Sequence, residues 1–128
     1  MKVFIRIMFV SLLLILAAPV YSDPAIQVYA CQQSDEASDA QLEKVASAWL
    51  KAAKGMPGGE NLEVFINFPV AAYMGENDFM FILKAPSLKE WGVFMDAYPG
   101  SAASKVDEEF GDLADCPDSS LWESITIK

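Results

Sequence analysis

The chain contains no histidine. Histidine is the usual general base near neutral pH and a common metal ligand. Its absence excludes Ser-His-Asp and Cys-His triads, histidine-held zinc or copper, and haem on a histidine. Arginine occurs only as Arg6, in a segment expected to be removed, so the mature chain lacks the bidentate fork that grips phosphate or carboxylate. Basic residues are scarce: 9 Lys and Arg stand against 18 Asp and Glu, for a net charge of −9. Such a chain repels phosphate backbones, so neither nucleic acid nor an anionic membrane surface is an expected partner. Catalysis, if any, would rest on carboxylates, lysine, tyrosine, thiols or a bound cofactor. No pattern assigns a catalytic residue, a metal site or a cofactor, and the expectation leans away from an enzyme.

What is present begins with an address. Lys2 and Arg6 precede an apolar run from Ile7 to Ala18, and Val20 and Ser22 are the small residues a signal peptidase reads. Residues 1–22 are therefore predicted to be a secretory signal peptide cleaved near Ser22, leaving residues 23–128 as one domain. The run spans about a dozen residues, short of the roughly 20 that cross a bilayer. No stable membrane anchor is expected in the mature chain, which would be secreted or periplasmic.

Hydrophobic period sets out the elements. Ile26–Cys31 alternates as a strand, with Ile26, Val28 and Ala30 read as one face and Gln27, Tyr29 and Cys31 as the other. Ser38 and Gln41 form a capping-box pattern ahead of a helix with Leu42, Val45, Ala46, Trp49 and Ala53 inward; Gly55 suits a left-handed cap at its end. Leu62–Phe68 and Asp78–Lys84 are two more strands, joined by a loop that carries Tyr73, and Pro69 places the first of these at an edge. Ser87 and Glu90 open a second helix with Leu88, Trp91, Phe94, Met95 and Tyr98 inward. Pro99-Gly100 breaks it, Ser104 restarts it, and Leu121–Ile127 is the last strand.

The order is strand, helix, strand, strand, helix, strand. That is the α+β, ferredoxin-like βαββαβ arrangement: a four-stranded antiparallel sheet of order 4-1-3-2 with the helices on one face. In it the first and last strands are antiparallel neighbours, which brings Cys31 beside Cys116. Chains sent to an oxidising compartment form disulfides, and neither C-x-x-C nor a nearby cation argues for a reactive thiol. Cys31–Cys116 is therefore expected to be a structural disulfide.

The sheet face away from the helices is expected to show Gln27, Tyr29, Glu63, Phe65, Asn67, Met80, Ile82 and Trp122. It is too apolar to stand open to water. With that face, the element order and the stretch FINFPVAAYMGENDFMFILKAPSLKEWGVFMDAY, the chain resembles the dimeric α+β barrel superfamily. That group includes stress-responsive barrel proteins, antibiotic-biosynthesis monooxygenase-like proteins and haem-degrading relatives. The resemblance implies a homodimer in which two open sheet faces enclose a small cavity. Haem-degrading relatives use a histidine ligand that this chain lacks, although Asn67 and Trp91 are possible counterparts of their asparagine and tryptophan.

The first functional expectation is a secreted, non-catalytic homodimer or a binder of a small apolar ligand. Its candidate pocket residues are Tyr29, Phe65, Asn67, Tyr73, Met80 and Trp122. The alternative is a cofactor-independent monooxygenase or isomerase, with Glu63 as the candidate acid, Tyr29 beside it and Asn67 as an oxyanion donor. A second alternative is an acidic calcium-binding or interaction module using Glu76, Asp78 and the acids from Asp107 to Asp118.

Overall fold

The computed structural model describes residues 22–71, 75 and 78–127. Most of the predicted signal peptide, Tyr73 and Glu76 lie outside them. The elements are β1 (Ala25–Gln33), α1 (Asp39–Lys54), β2 (Glu63–Asn67), β3 (Asp78–Ala85), α2 (Leu88–Ala97), α3 (Ala102–Gly111) and β4 (Ala114–Glu123). The strands form one sheet in the order β2-β3-β1-β4, every pairing antiparallel. This is the ferredoxin-like topology, with β2 on the edge where Pro69 requires no ladder partner.

Local sequence explains the helix starts. Ser38 caps α1, and both halves of its capping box with Gln41 are present. Ser87 caps α2 by accepting from the Glu90 N–H. Ser101, not Ser104, caps α3, so that helix begins earlier than expected. Gly100, at φ 72°, makes the turn between α2 and α3. Gly55 is right-handed at φ −84°; the left-handed residue of that connection is Gly58. A Cβ on Gly58 would sit 2.5 Å from the Glu90 carbonyl oxygen and 2.6 Å from the Phe94 nitrogen, so the α1–β2 connection seats tightly on α2. Leu88, expected inward, is exposed.

The sheet has two different faces, and the register defines them row by row. Toward the helices lie Val64, Leu83, Gln27 and Leu121 in one row, and Ile66, Phe81, Tyr29 and Ser119 in the next. Away from them lie Asn67, Met80, Ala30 and Asp118; then Phe65, Ile82, Val28 and Ser120; then Glu63, Lys84, Ile26 and Trp122. The β1 faces are thus the reverse of the expectation. Gln27 and Tyr29 face the helices, while Ile26 and Val28 face out. Gln27 is buried and its side-chain oxygen accepts from Trp91 Nε1 at 2.8 Å, which satisfies a polar group inside the core. The exchange makes the outer face more apolar than expected.

β4 also differs from its prediction. It starts at Ala114, not Leu121, and stops at Glu123, leaving Ile125 and Ile127 outside the strand and exposed. Its register against β1 shifts between Ala30 and Gln32, where Cys116 and Pro117 together oppose Cys31. Such a bulge accommodates a proline that cannot donate to the ladder. Within it Cys31 and Cys116 form the expected disulfide, with an S–S distance of 2.01 Å and 85 residues of sequence separation.

Candidate functional site

A pocket of about 300 Å³ lies between the inner sheet face and the helices. Each wall follows from a local pattern. Leu42, Ala46, Trp49 and Ala53 recur at helical spacing and turn Trp49 inward from α1. Alternation along β1 and β3 sends Tyr29 and Phe81 up from the sheet. The last turns of α2 contribute Phe94, Met95 and Tyr98. The chain reverses at Gly100, and α3 returns with Asp107, Phe110 and Gly111 on one helical stripe. Ala114, Asp115 and the disulfide residue Cys116 complete the boundary.

The rings pack against one another at steep angles. Trp49 meets Phe81 at 5.7 Å and 89°, and Phe94 at 5.9 Å and 74°. Phe81 meets Phe110 at 5.4 Å and 62°. Edge-to-face pairs of this kind add stability beyond the area they bury.

One polar cluster interrupts the apolar lining. Trp49 Nε1 donates to the Tyr98 hydroxyl oxygen at 3.0 Å. The Asp107 carboxylate, exposed at the edge of the pocket, lies within electrostatic reach of the Tyr98 hydroxyl. Burial, with the Asp107 charge adding to it, pushes Tyr98 up to about 12; the Trp49 hydrogen bond works the other way. Burial and then the Asp107 charge also raise Tyr29 above the usual phenol range. Both side chains are therefore neutral donors at ordinary pH. A raised phenol stabilises the fold fully below the ordinary value of 10.0, and that contribution is lost as pH climbs through the folded value. Phenolate absorbance followed against pH should show two late-ionising tyrosines, one near pH 12 that disappears in Tyr98→Phe. Ionisation of every tyrosine in the ordinary range would contradict this cluster.

The expected pocket residues do not form one site. Tyr29 lines the inner pocket. Phe65, Asn67, Met80 and Trp122 lie on the opposite, outer face, with Phe65 46% and Trp122 60% exposed. Tyr73 lies outside the described residues. Glu63 loses its case as an acid: its side chain is 55% exposed and pairs with Lys84 at 2.7 Å on the outer face of an edge strand. Trp91, expected as a core residue, is partly buried and holds Gln27. Among the described residues, no group of three or more Cys, Asp or Glu side chains is arranged to hold a metal ion.

Helical spacing alone places Trp49 and Tyr98 on buried stripes and Asp107 among the late acids; the structure brings both rings and Phe110 to the pocket, with Asp107 exposed at its edge. The available signal was chemical: an inward tryptophan N–H and tyrosine O–H both require partners. Asp107 stands three residues before Phe110, on the same side of α3.

Comparison with known proteins agrees with the fold and stops there. No protein-family model matches the chain, and no curated protein matches it. Among solved structures it is similar to SnoaB, a cofactor-independent oxygenase from Streptomyces nogalater. A mutant form gives a TM-score of 0.58 at 13% identity, covering 83% of this chain and 97% of that one. A second SnoaB structure gives 0.56 with the same identity and coverage. A dimeric ferredoxin-like protein of unknown function from Thermobifida fusca gives 0.50 at 16% identity, covering 82% of this chain and 92% of that one. The resemblance drawn from the element order therefore holds at the level of fold.

Proposed function

We propose that this chain is a secreted, disulfide-stapled homodimer that binds a small, largely apolar ligand in the pocket between its sheet and helices. The pocket itself carries the reading: about 300 Å³, walled by aromatic rings, with Tyr29, Tyr98, Asp107 and Asp115 among its polar groups. Ligand sites are of this kind, apolar with a few placed polar groups. The outer sheet face supports the dimer, because Phe65, Ile82, Val28, Met80, Ile26 and Trp122 leave a continuous apolar surface that a second copy would cover. The similar Thermobifida protein is described as dimeric. Secretion is supported by the signal-peptide pattern of residues 1–22 and by the disulfide, which suits an oxidising compartment. Among the described residues no helix is long and apolar enough to cross a membrane.

A second reading is a cofactor-independent oxygenase. It is favoured by the likeness to SnoaB and by hydroxyl and carboxylate groups within the pocket. Fold likeness does not carry function, so this reading stands second.

Native mass spectrometry of protein purified from an oxidising compartment tests the proposal. The expected species is a disulfide-containing dimer carrying an added small-molecule mass. A monomer with no added mass would contradict it. Dioxygen uptake when the released molecule is returned to the protein would move the second reading to first.

A further inference from the structure

We infer that the pocket selects an organic cation: a compact tertiary or quaternary ammonium group on an apolar body, held by the aromatic walls and Asp107. This rests on the pocket reading above and names the ligand's chemical class.

The walls supply the first reason. Tyr29, Trp49, Phe81, Phe94, Tyr98 and Phe110 all border the cavity. An aromatic face is electron-rich and attracts a cation, most strongly for tryptophan and more strongly where water is excluded. Because Trp49 stands at 89° to Phe81 and 74° to Phe94, the rings do not stack as one slab. They meet the cavity from several directions, so a compact ammonium group there would lie near more than one ring.

Charge supplies the second reason. The charged residues along the described lining are Asp107 and Asp115, both acidic. Asp107 borders the pocket from the exposed side of α3, near enough for its charge to raise both Tyr98 and Tyr29. Among the described residues the salt bridge present is Glu63–Lys84, on the other face of the sheet, so no lysine neutralises Asp107. Asp107 is exposed at the edge of the pocket, where a neutral ligand would leave it hydrated and an anion would be repelled. A cation in the pocket would gain its attraction. The chain's net charge of −9 would favour its approach as well.

The pair benzyltrimethylammonium and neopentylbenzene tests this. The two have nearly the same shape and differ in charge. Calorimetric titration of the oxidised full-length protein should find the cation bound about tenfold or more tightly than its neutral counterpart. In Asp107→Asn that preference should shrink to a few-fold, because the cation loses its counter-charge. Equal or tighter binding of neopentylbenzene by the native protein overturns the cation assignment and leaves the apolar pocket standing. Binding of neither probe overturns both. The native comparison decides the matter even if the variant proves unstable.

Discussion

Replacing Cys31 and Cys116 together by alanine should lower the unfolding free energy by roughly 2–5 kcal/mol. The bond joins residues 85 apart, so its loss frees a long loop in the unfolded chain. In the folded state it fastens the bulge that holds β4 against β1, and Cys116 borders the pocket. Domains of this size are stable by about 5–15 kcal/mol, so the loss is a large share of the total. Urea unfolding with and without reductant is the check. The midpoint should fall, and the slope should rise because the uncrosslinked chain exposes more surface when unfolded. An unmoved midpoint would mean the staple adds nothing.

Ile82→Glu should convert the proposed dimer to a monomer. Ile82 occupies the central row of the outer face, between Phe65 and Val28. A second copy packed there would bury an unpaired carboxylate on each side, at a cost of several kcal/mol. Dimer affinity should weaken by about a hundredfold or more. Folding should survive, because the side chain points away from the helices and from the core around Phe79, Phe94, Leu42 and Leu83. Sedimentation equilibrium with circular dichroism reads both effects. A variant as dimeric as the native chain would place the interface elsewhere.

Much of this architecture was legible in the sequence because local signals agreed with the tertiary result. The serine caps at Ser38 and Ser87, the breaker at Pro99-Gly100 and the edge proline at Pro69 all did what their chemistry dictates. The two cysteines and the topology supported each other, and the disulfide is present. The β1 faces were not legible for a physical reason. Ile26, Val28 and Ala30 compete with Ala25, Tyr29 and Cys31, so both faces read as apolar and alternation cannot choose between them. A strand with a core on one face and, in the proposed dimer, a second copy on the other needs apolar residues on both. The start of β4 was hidden in the opposite way. Asp115, Pro117, Asp118, Ser119 and Ser120 carry no hydrophobic period, yet an edge strand needs only one neighbour and can leave its other side to water. The pocket was missed because an aromatic stripe looks the same whether it fills a core or borders a cavity. Only the convergence of α1, α2, α3 and the sheet separates the two.

The most direct test of the inner pocket as the ligand site is uptake of the neutral fluorescent probe N-phenylnaphthylamine by the native protein and by Gly111→Leu. Gly111 borders the pocket on the same stripe of α3 as Asp107, and an added Cβ there meets nothing within 4 Å. The fold therefore tolerates a leucine at this position on the pocket's border. Strong probe fluorescence in the native protein, lost or greatly reduced in Gly111→Leu with the melting temperature preserved, is the predicted result. Undiminished uptake by the variant would contradict the account and return the search to the outer face of the sheet.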